Sequence, residues 1–149
     1  MRAVIQRVKK AHVFVNEKVI GSINHGLVVL LGIGKDDTQK DGDWLVEKIT
    51  KLRIFEGESG KMDLTIQDIN GELLIVSQFT LYGKCDKGRR PDFTGAAPIA
   101  EAKKLYEETV NAFQETGVPL QQEEFQAYMQ VELQNNGPVT LILESPQKE

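Results

Sequence analysis

A hydroxyl, an amide and a second hydroxyl stand together at Ser77-Gln78-Phe79-Thr80, directly after the apolar run Leu73-Leu74-Ile75-Val76. Polar groups at the C-terminal end of a buried strand can meet a ligand while the scaffold behind them stays rigid. Main-chain N–H groups there could hold an oxyanion or a hydroxyl. The same hydroxyls could equally do no more than satisfy local backbone as the strand ends. Further along, Gly137-Pro138 interrupts two runs that read as strands, residues 129–133 and 139–143. Proline has no backbone N–H and glycine no side chain, so the pair breaks a ladder and bares main chain. It is either a tight hairpin turn or a stiff probe that presents carbonyls to a substrate.

Other chemistries find less to rest on. The two histidines, His12 and His25, read as a strand residue and a turn residue, and neither has a nucleophile context nearby in sequence. They match no zinc spacing with the scattered carboxylates. Cys85 is the only cysteine, so no disulfide can close within the chain, and a reducing compartment fits. Gly32-Ile33-Gly34-Lys35 lacks the spacing of a phosphate loop and is followed by Asp36 and Asp37, which would repel phosphate. No paired carboxylates stand out for glycosidase-like work. Neither a metal nor a cofactor is expected.

The elements that must position these residues form one mixed α/β domain over residues 1–149. Residues 4–8, 11–15 and 18–20 read as strands. Residues 27–33 are apolar throughout and suit a central strand buried on both faces, as do residues 73–76. A helix fits residues 41–53, with Trp44, Leu45, Ile49 and Leu52 on one side. The clearest helical stripe is Ile99, Ala102, Tyr106, Thr109, Val110 and Phe113, opened by Pro98 and closed by Gly117 and Pro119. Residues 84–97 read as a loop, and Met129, Val131 and Leu133 alternate with polar neighbours as a half-exposed strand.

The net charge of −4 disfavours bulk attraction to a polyanion. Local clusters can override that total, and Lys84, Lys87, Arg89 and Arg90 form one. The longest apolar stretch, residues 27–31, is far too short to cross a membrane, and the charged start fits no signal peptide. A cytoplasmic protein without a membrane partner is expected.

Taken together in this order and spacing, Ser77-Gln78-Phe79-Thr80 and Asn136-Gly137-Pro138-Val139-Thr140 resemble the D-aminoacyl-tRNA deacylase family. The resemblance runs along the whole chain through Ile5-Gln6-Arg7-Val8, Leu52-Arg53-Ile54-Phe55, Gly60-Lys61-Met62, Arg90-Pro91-Asp92-Phe93 and Leu105-Tyr106. It implies mostly antiparallel mixed sheets in three α/β/β layers with two main helices, assembled as a homodimer. It also implies hydrolysis of the ester that joins a D-amino acid to the terminal adenosine of tRNA, a form of chiral proofreading. Each Gly-Pro element would reach into the partner's site as a cis peptide and exclude an L side chain with its carbonyls. Glycyl-tRNA, having no side chain to exclude, would pass.

Carried over residue by residue, Ser77, Gln78, Phe79 and Thr80 would line the ester site. Main-chain N–H groups near Phe79 and Thr80 would face the ribose hydroxyl and the carbonyl. Thr80 has no base beside it in the sequence, so water directed by the substrate 2′-hydroxyl is expected in place of an acyl-threonine. Arg7 would brace the partner's Gly-Pro element, and Phe125 and Met129 would wall the adenine pocket. Lys84, Lys87, Arg89 and Arg90 would meet tRNA phosphates. The chain departs from the family's pattern at Glu124 and Gln126, where glycine is usual, and at Asn136, where aspartate is commoner. The alternatives from other classes are a non-catalytic module for the tRNA acceptor end and a general small-ester hydrolase. Intact 77–80 and 137–138 motifs oppose the first, and the missing triad opposes the second.

Overall fold

A strand can be apolar at nearly every position only when both its faces are covered. The two such runs form β3 (Gly26–Gly32) and β6 (Glu72–Ser77), which pair in parallel with Leu31 opposite Ser77. Their alternate side chains divide between two cores. Leu27, Val29, Leu31, Leu73 and Ile75 pack with residues of α1 (Gln39–Lys51) and α2 (Ile99–Glu115), among them Leu45, Ile49, Tyr106 and Phe113. Val28, Leu74 and Val76 pack on the other face with Val8, Ala11, Val13 and Ile23. This computed structural model, which describes residues 1–123 and 125–146, thus has the three α/β/β layers expected.

One curled six-stranded sheet supplies both β layers. Its order is β2 (Lys18–Ile23), β1 (Arg2–Val15), β3, β6 and β7 (Leu120–Gln122), with β8 (Gln130–Glu144) on the other edge of β1. The β3–β6–β7 segment is parallel, while β1 runs antiparallel to β2, β3 and β8. A separate pair joins β4 (Phe55–Glu56) to β5 (Met62–Leu64). Neither helix is long and apolar enough to cross a membrane.

Several boundaries differ from the sequence expectations. Residues 4–8 and 11–15 belong to one strand, because β8 pairs with β1 along both. The runs on either side of Gly137-Pro138 are likewise a single strand, so the dipeptide makes no hairpin turn. The helix expected from Asp41 begins at Gln39, since the Asp41 carboxylate reaches back to accept the Thr38 N–H at 2.8 Å and caps the first turn. β7 carries no pattern of its own in Leu120-Gln121-Gln122; its pairing with β6 makes it a strand.

Candidate functional site

At its C-terminal end β6 turns sharply. The Gln78 N–H still donates to Leu31 O on β3 at 2.8 Å, and residues Phe79–Tyr82 then form a single 3₁₀ turn closed by Leu81 N–H to Gln78 O (3.2 Å) and Gly83 N–H to Thr80 O (3.0 Å). Such a turn leaves its first N–H groups without internal partners. Among the described residues, no acceptor takes the N–H of Phe79 or Thr80. Gly32 eases the close crossing, because a Cβ there would stand 3.0 Å from Gln78 O and 3.1 Å from Leu81. The Phe79 ring is 56% exposed and packs edge-on against Phe93 at 5.2 Å. The Gln78 amide nitrogen donates to Thr80 Oγ1. That amide is no base at neutral pH, so among the described residues the Thr80 hydroxyl has no activating hydrogen-bond partner.

One residue that the sequence did not single out stands directly behind this turn. Glu123 is buried, and its Oε1 accepts the Ser77 main-chain N–H. Its Oε2 is buried and, among the described residues, has no donor in full hydrogen-bond geometry. The Tyr106 hydroxyl lies against this carboxyl and donates to Ile75 O at 3.2 Å. Burial pushes the Glu123 carboxyl up to about 7, against the opposing pull of the Ser77 N–H and Tyr106. Burial and the neighbouring Glu123 also raise the Tyr106 phenol. The polar run Gln121-Gln122-Glu123 held no sequence signal for this, since the partner is main chain from a distant strand.

The Gly-Pro element sits where β1 and β8 lose step. Pairing runs through Gln6 with Thr140 and resumes at Val8 with Asn135, so residues 136–139 bulge from the ladder opposite Arg7 alone. Arg7 is 5% exposed. Its Nε donates to Asn136 O at 2.8 Å and its Nη1 to Ile54 O at 2.8 Å. Its Nη2 lies 3.7 Å from the exposed Glu56 carboxylate. Arg7 therefore braces the Gly-Pro element of its own chain. The Gly137–Pro138 bond is cis, and Gly137 has φ +134°, where a Cβ would stand 3.1 Å from Arg7 Nη2.

The remaining residues fall into separate places. Phe125 is half-buried against the helix-side core with its ring 5.6 Å from Tyr106, whereas Met129 packs against the opposite core. The two thus pack against different cores. Gln126 adopts φ +67°, and Glu124 lies outside the described residues. Lys87, Arg89 and Arg90 are exposed on a loop closed by paired main-chain bonds between Lys84 and Asp92. Among the described residues, no hydrogen bond, ion pair or ring contact joins Gly137 or Pro138 to residues 77–80. A cavity of about 560 Å³ beside Met1, Arg2, Asp37, Tyr82 and Glu144 includes none of residues 77–80.

Comparison with known proteins matches this arrangement to one group. The model of the D-Tyr-tRNA(Tyr) deacylase family covers residues 4–144. The D-aminoacyl-tRNA deacylase of Thermosipho africanus is 61% identical over 145 residues, 97% of each chain. That of Thermotoga petrophila is 54% identical, again over 97% of both. Among solved structures, the c-Myc DNA unwinding element binding protein superposes with a TM-score of 0.92 at 45% identity, covering 99% of this chain and 100% of that one.

Proposed function

This chain belongs to the D-Tyr-tRNA(Tyr) deacylase family and is a D-aminoacyl-tRNA deacylase, and from that premise we propose how its residues work. The ester of the terminal adenosine sits over the 3₁₀ turn after β6. The unused N–H groups of Phe79 and Thr80 hold the ester carbonyl oxygen and a ribose hydroxyl. Aminoacyl esters are labile already, so orienting water with the substrate's own 2′-hydroxyl is enough to direct hydrolysis. Thr80 orients and does not attack.

Chiral selection falls to Gly137 and Pro138 of a second copy of the chain. The observation that carries this reading is the Arg7 brace, which holds residues 136–139 outside the ladder of an edge strand. Main chain fixed in that way is a rigid obstacle. A D residue turns its side chain away from the carbonyls, whereas an L residue drives its side chain into them and loses their solvation. Glycyl-tRNA escapes rejection. The edge of β8 away from β1, with Ile142 74% exposed, is where the homodimer forms. Lys84, Lys87, Arg89 and Arg90 meet acceptor-stem phosphates, Phe125 and Met129 approach the adenine, and the enzyme works in the cytoplasm as a proofreader of translation.

Deacylation of D-tyrosyl-tRNA, L-tyrosyl-tRNA and glycyl-tRNA tests this. Fast release from the first and third with the second left intact is expected. Equal rates on D- and L-tyrosyl-tRNA would defeat the chiral argument, and binding without turnover on any would restore the acceptor-end binding module.

A further inference from the structure

The ladder between β6 and β7 stops one bond too early, and a side chain finishes it. Glu123 N–H donates to Ile75 O at 3.3 Å, the last main-chain bond between the two strands. In a continued parallel ladder the next donor on β6, Ser77 N–H, would go to the main-chain carbonyl of residue 123. Instead the chain leaves the sheet, and the Glu123 carboxyl folds back to take that donor through Oε1. A fixed peptide dipole is thereby replaced by a group that can carry a full charge. It stands behind Ser77, two residues from the N–H groups assigned above to the ester.

We propose that Glu123 is a positioning residue of the deacylase: through its bond to Ser77 N–H it fixes the main chain of residues 77–80 and so sets the rate of ester hydrolysis. The inference rests on the reading that this turn holds the ester. Glu123 is buried and bonds the main chain at Ser77, so it acts through Ser77. Its surroundings favour a responsive group over an inert one. Glu123 is 7% exposed, and among the described residues Oε2 has no donor in full hydrogen-bond geometry. The Tyr106 hydroxyl from α2 lies against the carboxyl and within reach of Ile75 O at 3.2 Å, so its one proton is shared between two acceptors. The groups that face the carboxyl are the Ser77 N–H from β6 and the Tyr106 hydroxyl from α2. A carboxylate accepts Ser77 N–H in a charge-assisted bond, whereas the protonated acid offers a weaker, neutral acceptor. The turn is therefore held tighter when Glu123 is ionised, and burial brings that ionisation to about pH 7.

The test combines amide NMR with single-turnover deacylation of D-tyrosyl-tRNA across pH 5.5 to 8.5 as a rough working range, corrected for spontaneous ester hydrolysis. The Ser77 amide resonance should move with a midpoint near 7 in the parent and stay still in Glu123→Gln. The enzymatic rate should fall about fivefold through the same midpoint as pH drops. In Glu123→Gln it should be flat at the low-pH level, with tRNA affinity unchanged. The dispersed amide spectrum shows at the same time that the variant is folded. A Ser77 amide that does not titrate would overturn the inference while leaving the ester-site reading intact, and so would a Glu123→Gln rate equal to the parent's at every pH. Adding an amide-linked 3′-(D-tyrosylamino)adenosine separates the two readings. If the Phe79 and Thr80 amides ignore it, the ester site itself is misplaced and the role of Glu123 falls with it.

Discussion

Arg7 Nε donates to Asn136 O at 2.8 Å, across the wider of the two irregularities in the β1–β8 ladder. The same guanidinium holds Ile54 O at 2.8 Å in a buried setting. Two carbonyls from separate segments thus depend on one planar donor, a geometry that a lysine ammonium does not reproduce. The contact to Glu56 adds little, because that carboxylate is 58% exposed. Arg7→Met should cost about 2–4 kcal/mol, the penalty of leaving one buried and one part-buried carbonyl unpaired, read from urea unfolding. Arg7→Lys should recover only part of this. If the braced main chain rejects L residues, both variants should also narrow the gap between D- and L-tyrosyl-tRNA in deacylation.

Glu123 gives a pH dependence of stability with a definite sign. Its folded pKa, about 7, lies above the roughly 4.3 of a carboxyl in an unfolded chain. The folded state therefore binds more protons than the unfolded one between these values, and stability falls as pH rises through that window. Above the window the loss is complete, and below it the loss vanishes. Glu123→Gln keeps the acceptor for Ser77 N–H without the buried charge. It should melt about 2–5 °C above the parent at pH 8 and converge with it towards the lower limit of the window. Differential scanning calorimetry at stepped pH reads this directly.

What could be read from the sequence followed how local each cause is. β3 and β6 were legible because continuous apolar runs admit few alternatives, and α2 because Tyr106, Val110 and Phe113 recur at helical spacing between Pro98 and Gly117. The continuity of β8 was not, since Gly137-Pro138 reads as a breaker and only the facing β1 makes one strand of both halves. The hydroxyl-bearing turn at 77–80 was visible from its composition. Its support was not, because Glu123 reaches main chain 46 residues away and no pattern in the sequence encodes a bond to an N–H. Met129 was legible as part of a half-exposed strand, and Phe125 was singled out through the family resemblance alone. Their assignment to opposite cores depends on how the chain crosses between layers after β7.

The basic loop offers a test that spares the fold. Lys87, Arg89 and Arg90 are exposed, and the Lys84–Asp92 main-chain pair closes the loop without their side chains. Replacing all three with serine should leave the melting temperature unchanged. Affinity for tRNA should drop, and the slope of log K against log salt should flatten by about 0.7–0.9 for each phosphate no longer neutralised. Filter binding at several salt concentrations measures both. An unchanged slope would place the basic groups that meet phosphate elsewhere on this acidic chain.

Thr80 decides between two chemistries. Its hydroxyl accepts from the Gln78 side-chain amide, and among the described residues no base bonds to it to take its proton. Loss of a working nucleophile costs a hydrolase on the order of 10⁴-fold or more in kcat. Loss of an orienting hydrogen bond costs about tenfold at most. Thr80→Ala should therefore remain within about tenfold of the parent on D-tyrosyl-tRNA. The same ester carried on a terminal 2′-deoxyadenosine should be cleaved about 10²–10³-fold more slowly, since the group that directs water is then missing from the substrate. Rapid-quench deacylation with both enzymes and both substrates completes the comparison. An acyl group trapped on the parent protein, together with silence in Thr80→Ala, would assign the attack to Thr80 and remove the 2′-hydroxyl from its role.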